Sequence, residues 1–319
     1  MTSSSGRVVT LGETMGLLAA TTVGHLPHVP TMALGIGGAE SNVAIALTRL
    51  GVGVDWIGRL GVDSLGDKVV RELTAEGVGV RATRDPSAPT GLMLKERPPG
   101  GGTRVWYYRA HGAGARLCPA DVDEDLVATA ALLHVTGITP ALGEGPAAAV
   151  RRAVAVARSC DVPVSVDVNY RSALWSAEDA RPVLRALIAD ADIVFAGDDE
   201  ARLVLGGDPG PPSEAARALT GLGPAEAVIK LGADGALGLV DGELHEQPAF
   251  PVTVVDPVGA GDAFVGAYLA ERLAGADPAT RLRTAARAGA LMCTVPGDWE
   301  ALPTRATLAT TAEPADVVR

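Results

Sequence analysis

The sequence alternates strand-like and helix-like segments along most of its length, and this pattern sets narrow limits on the fold. In the first part of the chain, strand-like runs at 8–12 and 54–58 are followed by helix-like runs at 42–50 and 67–76. Beyond residue 132 the alternation is regular, with strand-like runs at 133–138, 162–169, 193–196 and 228–231 and helix-like runs at 145–159, 178–189, 213–219, 263–273 and 278–293. Alternation of this kind predicts an α/β fold with a parallel sheet flanked by helices.

Two early segments do not follow this strand–helix alternation. They span 16–34 and 90–109, and the second holds two β-rich runs at 91–95 and 105–109. The residues between these runs are rich in proline and glycine. This composition predicts a β-hairpin with a long, mobile tip.

Composition argues against several classes of function. The net charge of −11 disfavours a nucleic-acid backbone or an anionic membrane as the main partner. No apolar run is long enough to span a membrane, and the polar N-terminus lacks the apolar core of a signal peptide. Cys118, Cys160 and Cys293 show no metal-binding spacing, so we expect reduced thiols. These features predict a cytoplasmic protein.

The segment DPVGAGDAF at 256–264 is the most informative motif for chemistry. Gly259, Ala260 and Gly261 precede a helix-like run, and backbone N–H groups at a helix N-terminus attract anions. Asp262 lies beside this anion site, although a carboxylate repels a phosphate. A general base that takes a proton from a hydroxyl group needs such a position, next to amides that hold a transferring phosphoryl group. The alternative is an ordinary helix start with an acidic residue in its first turn.

A second set of motifs favours the catalytic interpretation. The sequences GGAESN at 37–42 and GRLGVDSLG at 58–66 precede DPVGAGDAF along the chain. Together they closely resemble the motifs of the ribokinase-like (PfkB) carbohydrate kinases, and the resemblance extends from residue 8 to about residue 303. It implies one domain over 1–319, a three-layer α/β/α sandwich with a mainly parallel central sheet and a small β-sheet lid. The lid would be formed by inserted segments at about 15–36 and 89–111.

The resemblance also implies a catalytic apparatus that uses ATP and Mg²⁺, with a monovalent cation as a further candidate cofactor. Asp262 would be the catalytic base, and Gly259, Ala260 and Gly261 would form the anion hole. Glu200 would organise the water molecules of Mg²⁺, although Gly197 replaces an asparagine that similar kinases carry. The implied ATP contacts are Asn169, Lys230, Gly232, Gly235 and Gly261. Ordinary strand-end turns and helix starts are the alternative at these positions.

Within this family the chain is most similar to the 2-keto-3-deoxygluconate kinases. The similarity depends on the segments GE at 12–13, GGAE at 37–40, TGL at 90–92, VWYYR at 105–109, GITPAL at 137–142 and DVNYR at 167–171. The substrate contacts that it implies are Gly38, Asn42, Tyr107, Arg109 and Arg171. Arginine forms paired hydrogen bonds with carboxylates, so Arg109 and Arg171 are the candidate clamp for a sugar acid. A dimer interface is the alternative role for Tyr107 and Arg109.

One substitution affects the predicted substrate preference. Related kinases often have a tyrosine after the TGL segment, and this chain has Met93. A thioether cannot replace the hydrogen bond of a phenol, so the substrate preference could be looser or shifted.

The expected reaction is transfer of the ATP γ-phosphoryl group to the 6-hydroxyl of 2-keto-3-deoxygluconate. Kinases for fructose, ribose or 2-keto-3-deoxygalactonate are the alternatives within the family, and a catalytically silent sugar-acid sensor is the alternative outside it. Walker, GxGxxG and HExxH motifs are absent from the sequence, which disfavours P-loop, dinucleotide-binding and zinc-protease functions. The expected partners are the sugar acid, ATP and further copies of the chain, bound through the lid.

Overall fold

The computed structural model describes residues 6–100 and 102–310. Its strands in chain order are β1 (Val8–Leu11), β2 (Met15–Ala20), β3 (Met32–Gly37), β4 (Val54–Gly61), β5 (Gly79–Asp85), β6 (Leu92–Glu96), β7 (Arg104–Tyr108), β8 (Leu132–Thr136), β9 (Val164–Asp167), β10 (Ile193–Gly197), β11 (Glu226–Lys230), β12 (Ala236–Val240) and β13 (Glu243–Gln247). Its helices are α1 (Ala39–Arg49), α2 (Ser64–Ala75), α3 (Glu124–Ala128), α4 (Glu144–Ser159), α5 (Ala177–Ala189), α6 (Asp198–Leu205), α7 (Pro212–Thr220), α8 (Ala260–Leu273), α9 (Pro278–Met292) and α10 (Arg305–Thr310).

The larger of two sheets has the strand order β13-β12-β11-β10-β9-β8-β1-β4-β5. Within this order, the seven strands β11, β10, β9, β8, β1, β4 and β5 run parallel to one another. Strands β12 and β13 continue the sheet as an antiparallel edge. The central strands β1, β8 and β9 are buried at every position. Such runs are typical of parallel strands that are covered on both faces. The predicted parallel sheet is confirmed.

Two apolar clusters lie on opposite faces of this sheet and define three layers. One cluster joins the sheet to α4, α5, α6 and α7, and the other joins it to α1, α2, α8 and α9. Most of the side chains are aliphatic, because only 3% of the residues are aromatic. Phe195 of β10 and Tyr268 of α8 form an edge-to-face pair with ring centroids 5.2 Å apart, which fixes α8 against the sheet. The three-layer α/β/α sandwich is therefore confirmed.

The smaller sheet has the strand order β3-β2-β6-β7. Its strands come from the two early segments that do not follow the strand–helix alternation. The predicted hairpin forms from β6 and β7. Met15, Leu17 and Met93 form a small separate core on this sheet. A role as a lid stays a prediction. Gly101 in the hairpin tip and the polar N-terminal residues 1–5 lie outside the described residues.

Two helices begin earlier than the sequence pattern predicts. Helix α1 begins at Ala39, directly after Gly38, and α2 begins at Ser64. The Asp63 carboxylate accepts hydrogen bonds from the N–H groups of Gly66, at 2.8 Å, and Thr90, at 2.7 Å. It therefore caps α2 and ties this helix to the segment that leads into β6.

Within the described part of the chain, no helix combines the length and the apolar character needed to cross a membrane.

Candidate active site

A cavity of about 990 Å³ lies between the carboxyl ends of the parallel strands and the smaller sheet. Ligands of open α/β sheets bind at this edge. All of the predicted site residues line this one cavity: Gly38, Asn42, Tyr107, Arg109, Asn169, Arg171, Glu200, Lys230, Gly232, Gly235, Gly259, Ala260, Gly261 and Asp262. They come from segments spread over most of the chain, and the fold brings them together. Their individual roles stay predictions.

The turn at the start of α8 has the backbone shape of an anion site. Gly259 has a φ of +78°, and a Cβ atom there would overlap with the carbonyl oxygen of Asp298. Only glycine meets both conditions. The N–H groups in the first turn of a helix have no acceptors within the helix, so those of Gly261 and Asp262 are placed to bind an anion. The N–H of Ala260 donates a hydrogen bond of 3.3 Å to the carbonyl oxygen of Pro257 within the same turn.

Asp262, the predicted base, is buried in the first turn of α8 and lines the cavity. Nδ2 of Asn42 donates a hydrogen bond of 2.8 Å to Oδ2 of Asp262. Burial raises the pKa of the Asp262 carboxyl to about 7, with the Asp167 carboxylate adding to the rise and Asn42, Arg171 and Lys230 opposing it. A base with a pKa near the working pH is effective in proton transfer.

If Asp262 is the base of the kinase reaction expected from the sequence, its pKa sets the acid limb of the pH profile. The carboxylate must be ionised to accept a proton, so kcat/KM should fall by about tenfold for each pH unit below about 7. The measurement is kcat/KM for the sugar across the pH range at saturating Mg-ATP. A profile that stays flat through neutral pH would contradict this assignment.

Two charged residues beside Asp262 lie at the ends of β9 and β11, the strands on either side of β10. Lys230, at the end of β11, donates hydrogen bonds of 2.7 and 2.9 Å to the two carboxylate oxygens of Asp167, at the end of β9. Burial opposes the charge on Lys230, but the carboxylates of Asp167, Glu200 and Asp262 outweigh it and raise the pKa of the ammonium group. A Cβ atom on Gly261 would lie 3.7 Å from Lys230 Nζ. The cation is thus placed beside the anion site.

Glu200 joins two loops at the edge of the cavity. Its Oε1 accepts a hydrogen bond of 2.8 Å from the N–H of Tyr170, and its Oε2 accepts one of 2.6 Å from the N–H of Gly197. Each oxygen keeps a free lone pair, so the carboxylate can also bind the water shell of a cation. Asn169, next to Tyr170, has a φ of +40° and is buried against the same cavity.

Gly232 and Gly235 lie in the connection between antiparallel strands β11 and β12. Gly235 has a φ of +104°, and a Cβ atom there would overlap with the carbonyl oxygen of Gln247. This glycine is therefore required by the hairpin itself. Both glycines also line the cavity, so the hairpin and ligand-binding interpretations are compatible at this position.

Arg109 has an internal partner that the sequence did not reveal. Its guanidinium forms an ion pair with the carboxylate of Glu13, a buried residue between β1 and β2. Burial raises the pKa of Glu13, and Arg109 opposes that rise. The guanidinium also lies 5.5 Å from the centre of the Tyr107 ring. The Glu13 carboxylate therefore neutralises the charge of Arg109, one of the two arginines predicted to bind a substrate carboxylate.

A second buried acid, Glu40, lies on the same side of the cavity. Oε1 of Glu40 accepts hydrogen bonds of 2.8 Å from Thr136 and 2.6 Å from Thr139. Burial raises the pKa of this carboxyl. A Cβ atom on Gly12 would overlap with the Glu40 carboxylate. The segments GE, GGAE and GITPAL therefore meet at one place, although they lie far apart in the sequence.

Arg171 differs from Arg109 in its surroundings. It is exposed at the cavity, and its guanidinium donates a hydrogen bond of 3.5 Å to the carbonyl oxygen of Tyr170. No carboxylate of the described residues lies within ion-pair distance of its guanidinium. Met93 lines the cavity from β6 and is buried, so this substitution contributes an apolar surface to the site.

Residues 5–305 match the family described as pfkB family carbohydrate kinase. The chain belongs to this family. This PfkB kinase is 38% identical over 301 residues to the 2-dehydro-3-deoxygluconokinase of Thermoproteus tenax, covering 93% of the chain and 91% of that relative. It is 36% identical over 299 residues to the 2-dehydro-3-deoxygalactonokinase of Haloferax volcanii, covering 92% and 93%.

A solved structure supports the same family assignment. The crystal structure of a candidate Ribokinase II from E. coli, in complex with ATP and Mg²⁺, superposes on this PfkB kinase with a TM-score of 0.88. The two chains are 27% identical, and the match covers 96% of this chain and 98% of the other. The family and the ribokinase-like fold predicted from the motifs are both confirmed.

Proposed function

We propose that this PfkB kinase transfers the γ-phosphoryl group of ATP to the 6-hydroxyl of 2-keto-3-deoxygluconate, giving 2-keto-3-deoxy-6-phosphogluconate. One observation carries the proposal: the buried carboxylate of Asp262 and the guanidinium of Arg171 line the same cavity. A carboxylate base suits a hydroxyl acceptor, and a guanidinium suits a carboxylate on the same substrate. The relative from T. tenax, at 38% identity, is named for this substrate.

In the proposed reaction, Asp262 removes the proton from the attacking hydroxyl group. The Asn42 amide holds the carboxylate in place through its 2.8 Å hydrogen bond. The backbone amides at Gly259, Ala260 and Gly261 stabilise the negative charge of the transferring phosphoryl group. Because the base and the amides belong to one helix terminus, their relative positions are fixed before the substrates bind.

The proposed ATP side of the cavity lies at the ends of β9, β10 and β11. Asn169 and Lys230 would contact phosphate oxygens, and Gly232 and Gly235 would border the nucleotide. Lys230 would exchange part of its contact with Asp167 for the phosphates. The ATP complex of the E. coli structure supports this side of the proposal, since its fold matches over 96% of this chain.

The residues present fit a magnesium ion held through water. Hard oxygen donors are available from Glu200 and Asp167 beside Lys230, and Mg²⁺ retains several water ligands in proteins. Mg²⁺, when bound, would neutralise phosphate charge as the phosphoryl group transfers. The backbone N–H groups of Tyr170 and Gly197 hold the Glu200 carboxylate in a fixed orientation for this task.

The proposed sugar-acid side of the cavity is formed by both sheets. Arg171 would bind the substrate carboxylate, with Arg109 and the Tyr107 hydroxyl as additional donors. Gly38 would offer a backbone amide to the sugar hydroxyls. The packing around Gly38 requires glycine in any case, because a Cβ atom there would overlap with the Glu13 carbonyl oxygen. The smaller sheet would act as a lid that excludes water.

The test is ADP release measured with Mg-ATP and a panel of sugars. The panel contains 2-keto-3-deoxygluconate, 2-keto-3-deoxygalactonate, gluconate, fructose and ribose. A clear preference for 2-keto-3-deoxygluconate is expected. Preference for 2-keto-3-deoxygalactonate would favour the function named for the H. volcanii relative. Preference for fructose or ribose would refute the role of the arginines, and binding of a sugar acid without ADP release would favour a sensor.

We also propose that the kinase forms a homo-oligomer through the smaller sheet. Strand β7 exposes Trp106, Tyr107 and Tyr108, and exposed aromatic clusters are typical of protein interfaces. Light scattering of the purified protein tests this assembly. A cytoplasmic location stays a prediction. So does a monovalent cation, which is tested by comparing turnover in potassium chloride and choline chloride.

A further inference from the structure

Lys95 of β6 is buried, with only 2% of its side chain exposed. Its Nζ lies 2.7 Å from Asp256 Oδ2 and 2.8 Å from Asp298 Oδ1, and it donates a hydrogen bond of 2.7 Å to the carbonyl oxygen of Gly297. A buried ammonium group is costly unless oxygen atoms surround it in this way. The sequence contains only two other lysines, Lys68 and Lys230.

The partners of Lys95 hold the anion-hole turn from two sides. Asp256 opens the DPVGAGDAF segment, and its Oδ1 accepts a hydrogen bond of 3.2 Å from the N–H of Val258. Asp298 packs its carbonyl oxygen against the Cα of Gly259, where no Cβ atom would fit. Lys95 therefore contacts both segments that determine the position of the Gly259 backbone.

A second contact joins the same two parts of the molecule. Oγ1 of Thr103, next to β7, donates a hydrogen bond of 3.0 Å to Oδ1 of Asp256. The smaller sheet thus reaches Asp256 from β6 and from the residue that precedes β7. Burial raises the pKa of Asp298, the Lys95 ammonium opposes that rise, and the carboxylates of Glu300 and Asp256 add to it. Without a cation between them, the two buried carboxylates would repel each other.

We propose that Lys95 is a positioning residue for phosphoryl transfer, an ammonium tie that holds the anion-hole turn and links it to the smaller sheet. This proposal deepens the proposed kinase function and rests on it. Loss of the tie would let Asp256 and Asp298 separate and would displace the Gly259 amide. The proposed sugar contact on Arg171 would remain. The expected defect is therefore in kcat more than in KM for the sugar.

The experiment compares Lys95→Ala with the wild type and with Lys68→Ala, a lysine on α2 that pairs with Glu72 on the same helix. The kcat of Lys95→Ala is expected to fall on the order of 10²-fold, the usual cost of misplacing groups by about an ångström. Ammonium chloride should restore much of the lost kcat relative to wild type in the same salt, because a small cation can enter the space left by the ammonium group. Sodium chloride should restore less, and Lys68→Ala should behave as wild type.

A second variant separates positioning from folding. Lys95→Met combined with Asp298→Asn removes one positive and one negative charge, so the net charge of the cluster is unchanged. Its melting temperature is expected to lie near that of the wild type, while its kcat stays low. A wild-type kcat in either folded variant would overturn the proposal, as would a lost kcat that ammonium does not raise.

Failure of the proposal for Lys95 can be told apart from failure of the proposed kinase function. A wild type that releases ADP with none of the sugars refutes the proposed function instead. In that case the melting temperature of Lys95→Ala, measured in ammonium and sodium chloride at equal ionic strength, still tests the tie. Specific stabilisation by ammonium supports it, and equal melting temperatures in the two salts contradict it.

Discussion

Replacing Asp262 by asparagine is expected to lower kcat by about 10²- to 10⁴-fold, the usual contribution of a general base. The amide has nearly the same shape as the carboxylate but cannot accept the hydroxyl proton. Binding of the sugar should be largely retained, because Arg171 and Gly38 are untouched. The measurements are kcat from ADP release and sugar affinity from calorimetry.

Asp199→Asn is the matched control for this variant. Asp199 also lies in the first turn of a helix, α6, but its side chain is 98% exposed. The same chemical change at this position should leave kcat at the wild-type value. A near-normal kcat for Asp262→Asn would remove Asp262 from the role of base, and the helix-start interpretation of the segment would then stand.

Arg171→Ala is expected to raise KM for 2-keto-3-deoxygluconate by about 10- to 10²-fold, which corresponds to the loss of charged hydrogen bonds. The reason is that the guanidinium has no carboxylate partner among the described residues and is available to a ligand. For a neutral sugar such as fructose, the same change should leave KM almost unaffected. The measurement is KM for both sugars at saturating Mg-ATP.

Two further arginine variants complete this comparison. Arg151→Ala changes an exposed arginine of α4 that pairs with Glu144, and it should leave KM unchanged. Arg109→Ala removes the partner of the buried Glu13, so a fall in melting temperature should accompany any change in KM. If Arg171→Ala leaves KM for the sugar acid at the wild-type value, the proposed substrate clamp is wrong.

The resemblance to the PfkB kinases was sufficient to predict the three-layer α/β/α sandwich and many of the residues that line the cavity, although it did not indicate Glu13 or Glu40. The DPVGAGDAF segment combines residues that only a close-approach turn requires, such as Gly259 with its positive φ. The alternation of strand-like and helix-like segments predicted the parallel sheet. Strands β12 and β13 were not predicted, because a short antiparallel hairpin at a sheet edge has a weak periodic signal.

The long-range ion pairs could not be predicted from the sequence. Nothing near Arg109 indicates that Glu13 neutralises it, and nothing near Lys95 points to Asp298. Such pairs depend on which chain segments the tertiary fold brings together, and a local pattern does not contain that information. The one available signal was the presence of Lys95 and Glu96 at the end of β6, directly after the apolar residues Leu92, Met93 and Leu94, because charged side chains that continue a buried strand require partners.

The hydrogen bond between Asn42 and Asp262 spans 220 residues of sequence, and the tie from Lys95 to Asp298 spans 203. During synthesis, Asn42 and Lys95 therefore cannot form these contacts until most of the chain has left the ribosome. Contacts of such sequence separation slow folding, because the loop between them must close first. Nascent chains that stop before α8 would lack both the base and the anion hole. Catalytic competence should consequently arise late in biosynthesis, after the residues around Asp298 have been added.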